Sequence, residues 1–252
     1  MNFIEHVREP ARLLLVWQGP EGSSRVRHTV AELLRHPGGS VRLRYLTDVA
    51  GARAEGFIGF PAFRKLDQEY EQGVLETFMR RLPPRSRGDY ARYLEQFRLR
   101  PGAEISDFAL LAYTGAKLPG DGFSIIDPLD QVTAPSEVII EVAGFRHTSQ
   151  VPLDEITVGS PVQLVAEPDN PHDRNAVVML TQGRKIGHVP RQQAVGVRRW
   201  MDRGTLSAHV ERVNGTPERP LVYVFLRFGS DDSSAPDHDH SAATPARPAY
   251  AV

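Results

Sequence analysis

The sequence predicts an α+β protein in three parts: a mixed α+β domain over residues 1–130, a small closed or half-closed β-barrel over 137–228, and a disordered tail over 229–252. Three observations predict this. Apolar residues make up 40% and charged residues 24% of the 252 residues, an ordinary globular balance at a length suited to one large or two small domains. The first half places alternating, strand-like runs before helix-period stripes, whereas the second half is a series of short strand-like runs broken by one helix. The last stretch, from Gly229, holds three prolines, no periodicity and almost no large apolar side chain. It cannot bury enough surface to offset the entropy of ordering.

Taken in order, Arg12-Leu13-Leu14-Leu15-Val16-Trp17 is an apolar run ending before Gly19-Pro20, and is predicted as a strand. Arg25–Val30 and Ser40–Leu46 alternate and are predicted as strands with one wet face. Tyr70, Val74, Leu75 and Phe78 share one helical face, and Pro83-Pro84 ends that helix. Ser86 and Asp89 stand in capping-box relation before the stripe Tyr90, Tyr93, Leu94, Phe97. Ser106–Tyr113 is a third, short helix. Two prolines and polar residues over 127–136 predict a linker. Beyond it, strands are predicted at 138–143, 161–165, 176–180, 185–189, 205–210 and 221–226, with a helix from Pro190 to about Arg203, before Gly204.

Composition excludes several classes. With no cysteine there is no disulfide framework, thiolate metal site or cysteine nucleophile. Thirty-one acids against thirty bases leave a net charge of −1, with −3 in the tail and +2 in residues 1–228, so any anion-binding surface is local. No run approaches the ~18 apolar residues of a membrane span. The start, Met1–Pro10, carries two acids and no apolar h-region. A cytoplasmic protein is expected, without membrane contact, and the cysteine-free, arginine-heavy composition fits a bacterial or phage source. Asp237-His238-Asp239-His240 offers metal-ligand chemistry, but no rigid scaffold holds it, and it reads as solvated tail.

Three segments of the second half carry recognisable chemistry: Gly144-Phe145-Arg146-His147, Glu167-Pro168-Asp169-Asn170-Pro171-His172-Asp173-Arg174-Asn175-Ala176, and Gly183–Arg191. The middle one is a polar loop of side-chain-stabilised turns, in which Asn175 is expected to brace the loop. Asp173 is flanked by His172 and Arg174, which favour its ionised form. The third feeds a basic stretch, net +5 over Gln182 to Arg203, in which Lys185, Arg191 and a helix start come together as a phosphate-binding pattern. Arg198, Arg199 and Arg203 read equally well as a solvated helix face.

These three segments, in this order, resemble the HIRAN domain family over residues 137–228. The resemblance implies a modified OB-type barrel that captures single-stranded DNA, in the best-understood member at a free 3′ end. It implies that Arg146 contacts backbone phosphate and that His147 and His172 occupy positions where helicase members clamp the terminal base with aromatic rings. Asp173 matches a carboxylate that accepts from the 3′-hydroxyl, and Asn170 shapes its loop. Lys185, His188 and Arg191 match the polar and basic side of the groove. Both stacking positions are histidine here, a departure from the tyrosines of the helicase members.

That departure opens a rival reading, in which His147, His172, Asp173 and His188 converge as a zinc or manganese site of a metal-dependent hydrolase or nuclease. In the first half, Leu43-Arg44-Tyr45, Gly59-Phe60-Pro61, Tyr70, Leu75, Phe78, Arg81-Leu82-Pro83 and Arg87-Asp89-Tyr90 resemble the N-terminal subdomain of HipA-type kinase toxins. No kinase core or Gly-rich phosphate loop follows, so this resemblance implies a docking or regulatory module. Seven arginines from Arg80 to Arg100 stand against Asp89 and Glu95, net +5, and read as a wet helix face or as an extension of a nucleic-acid path. The expectation is a non-enzymatic protein without cofactor that binds single-stranded DNA and recruits a protein partner. A toxin–antitoxin-type regulator acting by protein contact is the alternative.

Overall fold

A computed structural model describes residues 3–20, 26–47, 49–131 and 135–229. The tail from 230 on, including Asp237–His240, lies outside the described residues. The chain is α+β. Its first half is built on a four-stranded antiparallel sheet of order β3-β2-β1-β4, with β1 Arg12–Gln18, β2 Arg27–Arg35, β3 Val41–Tyr45 and β4 Phe123–Ile126. Helices α1 Ala50–Ala54, α2 Val74–Met79, α3 Tyr90–Gln96 and α4 Asp107–Thr114 lie between β3 and β4 in sequence.

Several details differ from the sequence reading, each for a physical reason. β2 runs on to Arg35 through the buried Glu32, because Arg12 and Arg44 on the flanking strands both pair with that carboxylate. Tyr70 is not on α2. Gly73, left-handed at φ 66°, separates the two, and Tyr70 exchanges backbone hydrogen bonds with Leu43 instead. Ser86 does not cap α3: Asp89 occupies the N-cap position, makes no cap bond, and pairs with Arg87 at 2.5 Å. At α4 the expected cap does form, the Ser106 hydroxyl accepting from the Ala109 N–H at 3.0 Å. The helices do not end the first half, since β4 returns to pair with β1.

In the second half, β5 Ser136–Glu141, β10 Arg219–Gly229 and β9 Thr205–Thr216 form one antiparallel sheet of order β5-β10-β9. A second antiparallel sheet has β7 Val177–Thr181 between β6 Gln163–Ala166 and β8 Arg184–His188. Single bridges, Ala143–His188 and Pro161–His209, join the two sheets into a half-closed barrel. Short helix α5, Phe145–Thr148, follows β5, and α6, Arg191–Arg203, follows β8. Val197 and Trp200 of α6 are fully buried against Val177, Met179, Val224 and Phe228.

Each half has its own apolar cluster, but they are stitched together. The expected linker is packed over 127–130: Leu129 is fully buried in the second cluster, and Arg12 grips Asp130 at 2.5 Å. Residues 132–134 lie outside the described residues. Glu137 of β5, wholly buried, accepts from the backbone N–H groups of Glu5 at 2.6 Å and His6 at 3.2 Å, and from Arg227 Nε at 2.7 Å. The Tyr113 hydroxyl donates to the Glu137 carbonyl at 3.1 Å and accepts from the Arg8 N–H at 2.8 Å. Among the described residues, no helix is long and apolar enough to cross a membrane.

Candidate nucleic-acid interface

The loop between β6 and β7 is held from within. Its base is closed by the Glu167 N–H donating to the Ala176 carbonyl at 2.9 Å. Asn170 is the brace. Its side-chain oxygen accepts from the N–H groups of His172 at 3.0 Å and Asp173 at 3.2 Å, and its Nδ2 donates to Glu167 at 3.0 Å. The role expected of Asn175 thus belongs to Asn170. Asn175 enters through its backbone, whose N–H donates to Asp173 Oδ1 at 2.9 Å.

Asp173 therefore has one oxygen committed to the turn. Its other oxygen, Oδ2, lies 3.6 Å from Arg191 Nε at the start of α6. At that separation the contact is an ion pair rather than a hydrogen bond, so Oδ2 keeps its acceptor capacity. The cation facing Asp173 is Arg191, not its sequence neighbours. Arg174 instead offers its carbonyl to Arg198 at 2.8 Å. Arg191 also donates to the His172 carbonyl at 3.2 Å, while three quarters of its side chain stays open to solvent.

His188, at the end of β8, is 2.8 Å from Glu167 through Nε2. Glu167 is desolvated, which pushes its carboxyl up, but hydrogen bonds from Asn170 and His188 and the nearby charges of His188 and Lys185 outweigh this and hold it below the usual carboxylate range. This pair fastens the loop to β8. Sequence reasoning left Glu167 off the candidate residues, although it opens the loop motif.

On the other edge of β8, the turn at Gly144, left-handed at φ 76°, launches α5. Phe145 is buried in the barrel core, and Arg146 and His147 are left exposed. Neither makes a side-chain hydrogen bond or ion pair among the described residues. Gln150 ties this segment to Lys185, its N–H donating to the Lys185 carbonyl at 2.7 Å and its side chain accepting from the Lys185 N–H at 3.1 Å. No sequence signal points to Gln150, because its partner is a strand away. β8 can come this close because of Gly187, at φ 145°: a Cβ there would meet Val142 Cγ1 at 2.5 Å and the Ala143 carbonyl at 2.6 Å.

The structure thus gathers Asn170, His172, Asp173, His188 and Arg191 around one loop, with the Lys185 charge close enough to act on Glu167, and sets Arg146 and His147 on α5 at the other edge of β8. Among the described residues no three His, Asp or Glu side chains group as metal ligands, so the convergence of His147, His172, Asp173 and His188 is not formed. His188 is turned to Glu167 instead.

Residues 136–228 match the family model of the HIRAN domain. This part of the chain is a HIRAN domain. The family is one of DNA-binding domains, and the match supports nucleic-acid binding. No curated protein matches the chain. Two solved structures are similar. One is the HIRAN domain of human HLTF, at 22% identity and TM-score 0.32, covering 38% of this chain and 77% of that one. The other is a protein from Lactobacillus plantarum, at 22% identity and TM-score 0.31, covering 38% of this chain and 99% of that one.

Most arginines of the stretch from Arg80 to Arg100 are engaged by acids. Arg81 pairs with Asp121 at 2.5 Å and Arg85 with Asp107 at 2.7 Å, while Arg98 pairs with Glu211 and Arg100 with Glu5. Much of the local +5 is therefore neutralised by acids distant in sequence. On α6, Arg199 donates to the Asp130 carbonyl at 3.2 Å, so it and Arg198 tie the helix down rather than forming a purely solvated face.

Proposed function

We propose that the chain is a non-enzymatic nucleic-acid-binding protein whose HIRAN domain holds single-stranded DNA at a 3′ end and whose N-terminal half recruits a protein partner. The observation that carries this reading is the pair of exposed, unpartnered side chains Arg146 and His147 on α5, across β8 from the Asp173–Arg191 loop. Arginine and lysine grip phosphates without reading sequence. His147 and His172, both exposed, offer flat rings to a terminal base, and stacking of that kind is tolerant of base identity. Asp173 Oδ2 accepts from a 3′-hydroxyl, and its charge disfavours a terminal phosphate.

The test is a binding assay on the full chain with short fluorescent oligonucleotides. It compares single-stranded DNA, double-stranded DNA and single-stranded RNA, each with 3′-hydroxyl and 3′-phosphate ends. Tightest binding to single-stranded DNA with a 3′-hydroxyl is expected. Equal affinity for linear and circular single strands would remove the end-binding part, and no binding to any nucleic acid would favour a regulator acting by protein contact.

A further inference from the structure

The start of α6 lies on the seam between the two halves. The Gln192 side chain donates to the Arg27 carbonyl at 3.4 Å, and the Gln193 side chain donates to the Asp127 carbonyl at 3.1 Å. Two hollows open along this seam. One, of about 420 Å³, has Arg146 and His147 of α5 and Arg27 of β2 in its walls. The other, of about 450 Å³, continues past Arg27 and Glu141, which line both, to Lys117, Arg87 and Tyr93 of the N-terminal half.

The charge along this route is positive where it is open. Glu141 is shared between Arg27 at 3.0 Å and Lys117 at 3.2 Å, so one carboxylate faces two cations. The side chains of Lys117 and Arg87 are 54% and 59% exposed. Arg87 pairs with Asp89, also exposed, and an exposed pair of this kind is weak enough to exchange for a phosphate. Aromatic rings line the same cleft: Tyr93, and Tyr223 with the Arg212 guanidinium 4.5 Å above its centroid. A basic groove interleaved with aromatic faces is the physical pattern of a single-strand path.

We propose that a single strand of DNA held at the 167–176 loop continues across the seam, its phosphates passing Arg27 and Lys117 to Arg87, so that the N-terminal half supplies the second part of the binding path. This rests on the reading of the HIRAN domain as the single-strand site. A strand crossing the seam needs both walls in register, and the contacts of Gln192 and Gln193 hold them together there.

The experiment measures affinities of 3′-hydroxyl oligothymidylates of about 4 and about 16 nucleotides, lengths spanning the usual site sizes of single-strand modules. The full chain is compared with Lys117→Ala/Arg87→Ala and with the charge-keeping Lys117→Arg/Arg87→Lys, each checked for an unchanged melting temperature. The alanine pair should weaken binding of the long strand on the order of 10-fold and reduce its salt slope by about 1.4, at ~0.7 per lost contact. The short strand should be unaffected, and the charge-keeping pair should bind like wild type. Equal long-strand binding by wild type and the alanine pair would overturn the path while leaving the HIRAN site intact. Failure of wild type to bind either length would overturn both readings.

Discussion

Arg191 reaches back from the first turn of α6 to Asp173, eighteen residues earlier, with Nε 3.6 Å from Oδ2 and the same guanidinium donating to the His172 carbonyl at 3.2 Å. The contact orients an exposed cation over a loop whose shape is set independently by Asn170. The exposed charge of Arg191 and the brace of Asn170 therefore reside in different residues and can be separated by mutation.

For Arg191→Ala, the melting temperature should barely move, because a pair this exposed contributes about 0–1 kcal/mol. If Arg191 neutralises one phosphate, the plot of log affinity for single-stranded DNA against log salt should flatten by about 0.7. Anisotropy titrations across a salt series measure this. An unchanged slope would remove Arg191 from the interface.

Asp173→Asn keeps an acceptor for the Asn175 N–H, so the turn should survive while the charge is lost. Wild type should favour a 3′-hydroxyl over a 3′-phosphate by about 10-fold or more, from a charge-assisted bond worth ~1.5–3 kcal/mol. The asparagine variant should narrow that gap. Asp173→Ala loses the turn bond as well and should cost about 1 kcal/mol of stability in addition. Loss of stability in both variants with unchanged end preference would reduce Asp173 to a turn-former.

Glu167 makes the acid side of the stability profile testable. Its carboxyl is held below its ordinary value of 4.5, so the stability it contributes is fully present above that value. The contribution is lost as pH falls through the lower, folded-state value. Glu167→Gln should therefore melt at a lower temperature than wild type at neutral pH, and the difference should shrink as pH falls below about 4. Thermal melts between pH 3 and 7 should show the two curves converging on the acid side; a constant offset would mean that folding does not lower the Glu167 carboxyl.

Arg8 and Asp127 form a buried pair, 3.8 Å apart, with the Arg8 guanidinium 5.1 Å from the Trp200 ring centroid. Burial pushes the Asp127 carboxyl up, with Arg8 opposing this. Arg8→Met leaves that carboxylate buried and unpaired and should cost roughly 3 kcal/mol in urea denaturation. Arg8→Met/Asp127→Asn removes both charges yet keeps an acceptor for the Leu129 N–H, and should recover most of the loss. Additive losses would show that the two charges are not coupled.

Most strands of the HIRAN domain were legible because hydrophobic periodicity is a local property: each run carries its own alternation between turn residues. The interface loop was legible as a motif, since Asn170 and Asp173 act within a few residues of their own partners. What failed was whatever depended on a distant partner. Alternation alone ends β2 at Val30, before Glu32, a charge in an apolar run that Arg12 and Arg44 on neighbouring strands make tolerable. β4 is four residues long and exists because β1 offers it an edge. The arginines from Arg80 to Arg100 summed to a basic patch on paper, yet Asp121, Glu211 and Glu5 reach them from elsewhere in the chain.

By itself, then, the sequence determined the α+β class, the order of the six strands of the barrel with α6 among them, and the residue types of the 167–176 loop, because these follow from spacing along the chain; the short helix α5 over Phe145–Thr148 was not among them. The tertiary structure alone decided which charges remain available. Arg146 and His147 are left open on α5, His188 is taken up by Glu167, and the route past Arg27 and Lys117 arises where the two halves meet. Charge pairing acts through space over a few ångströms, and residues a hundred positions apart become neighbours only when the chain has folded.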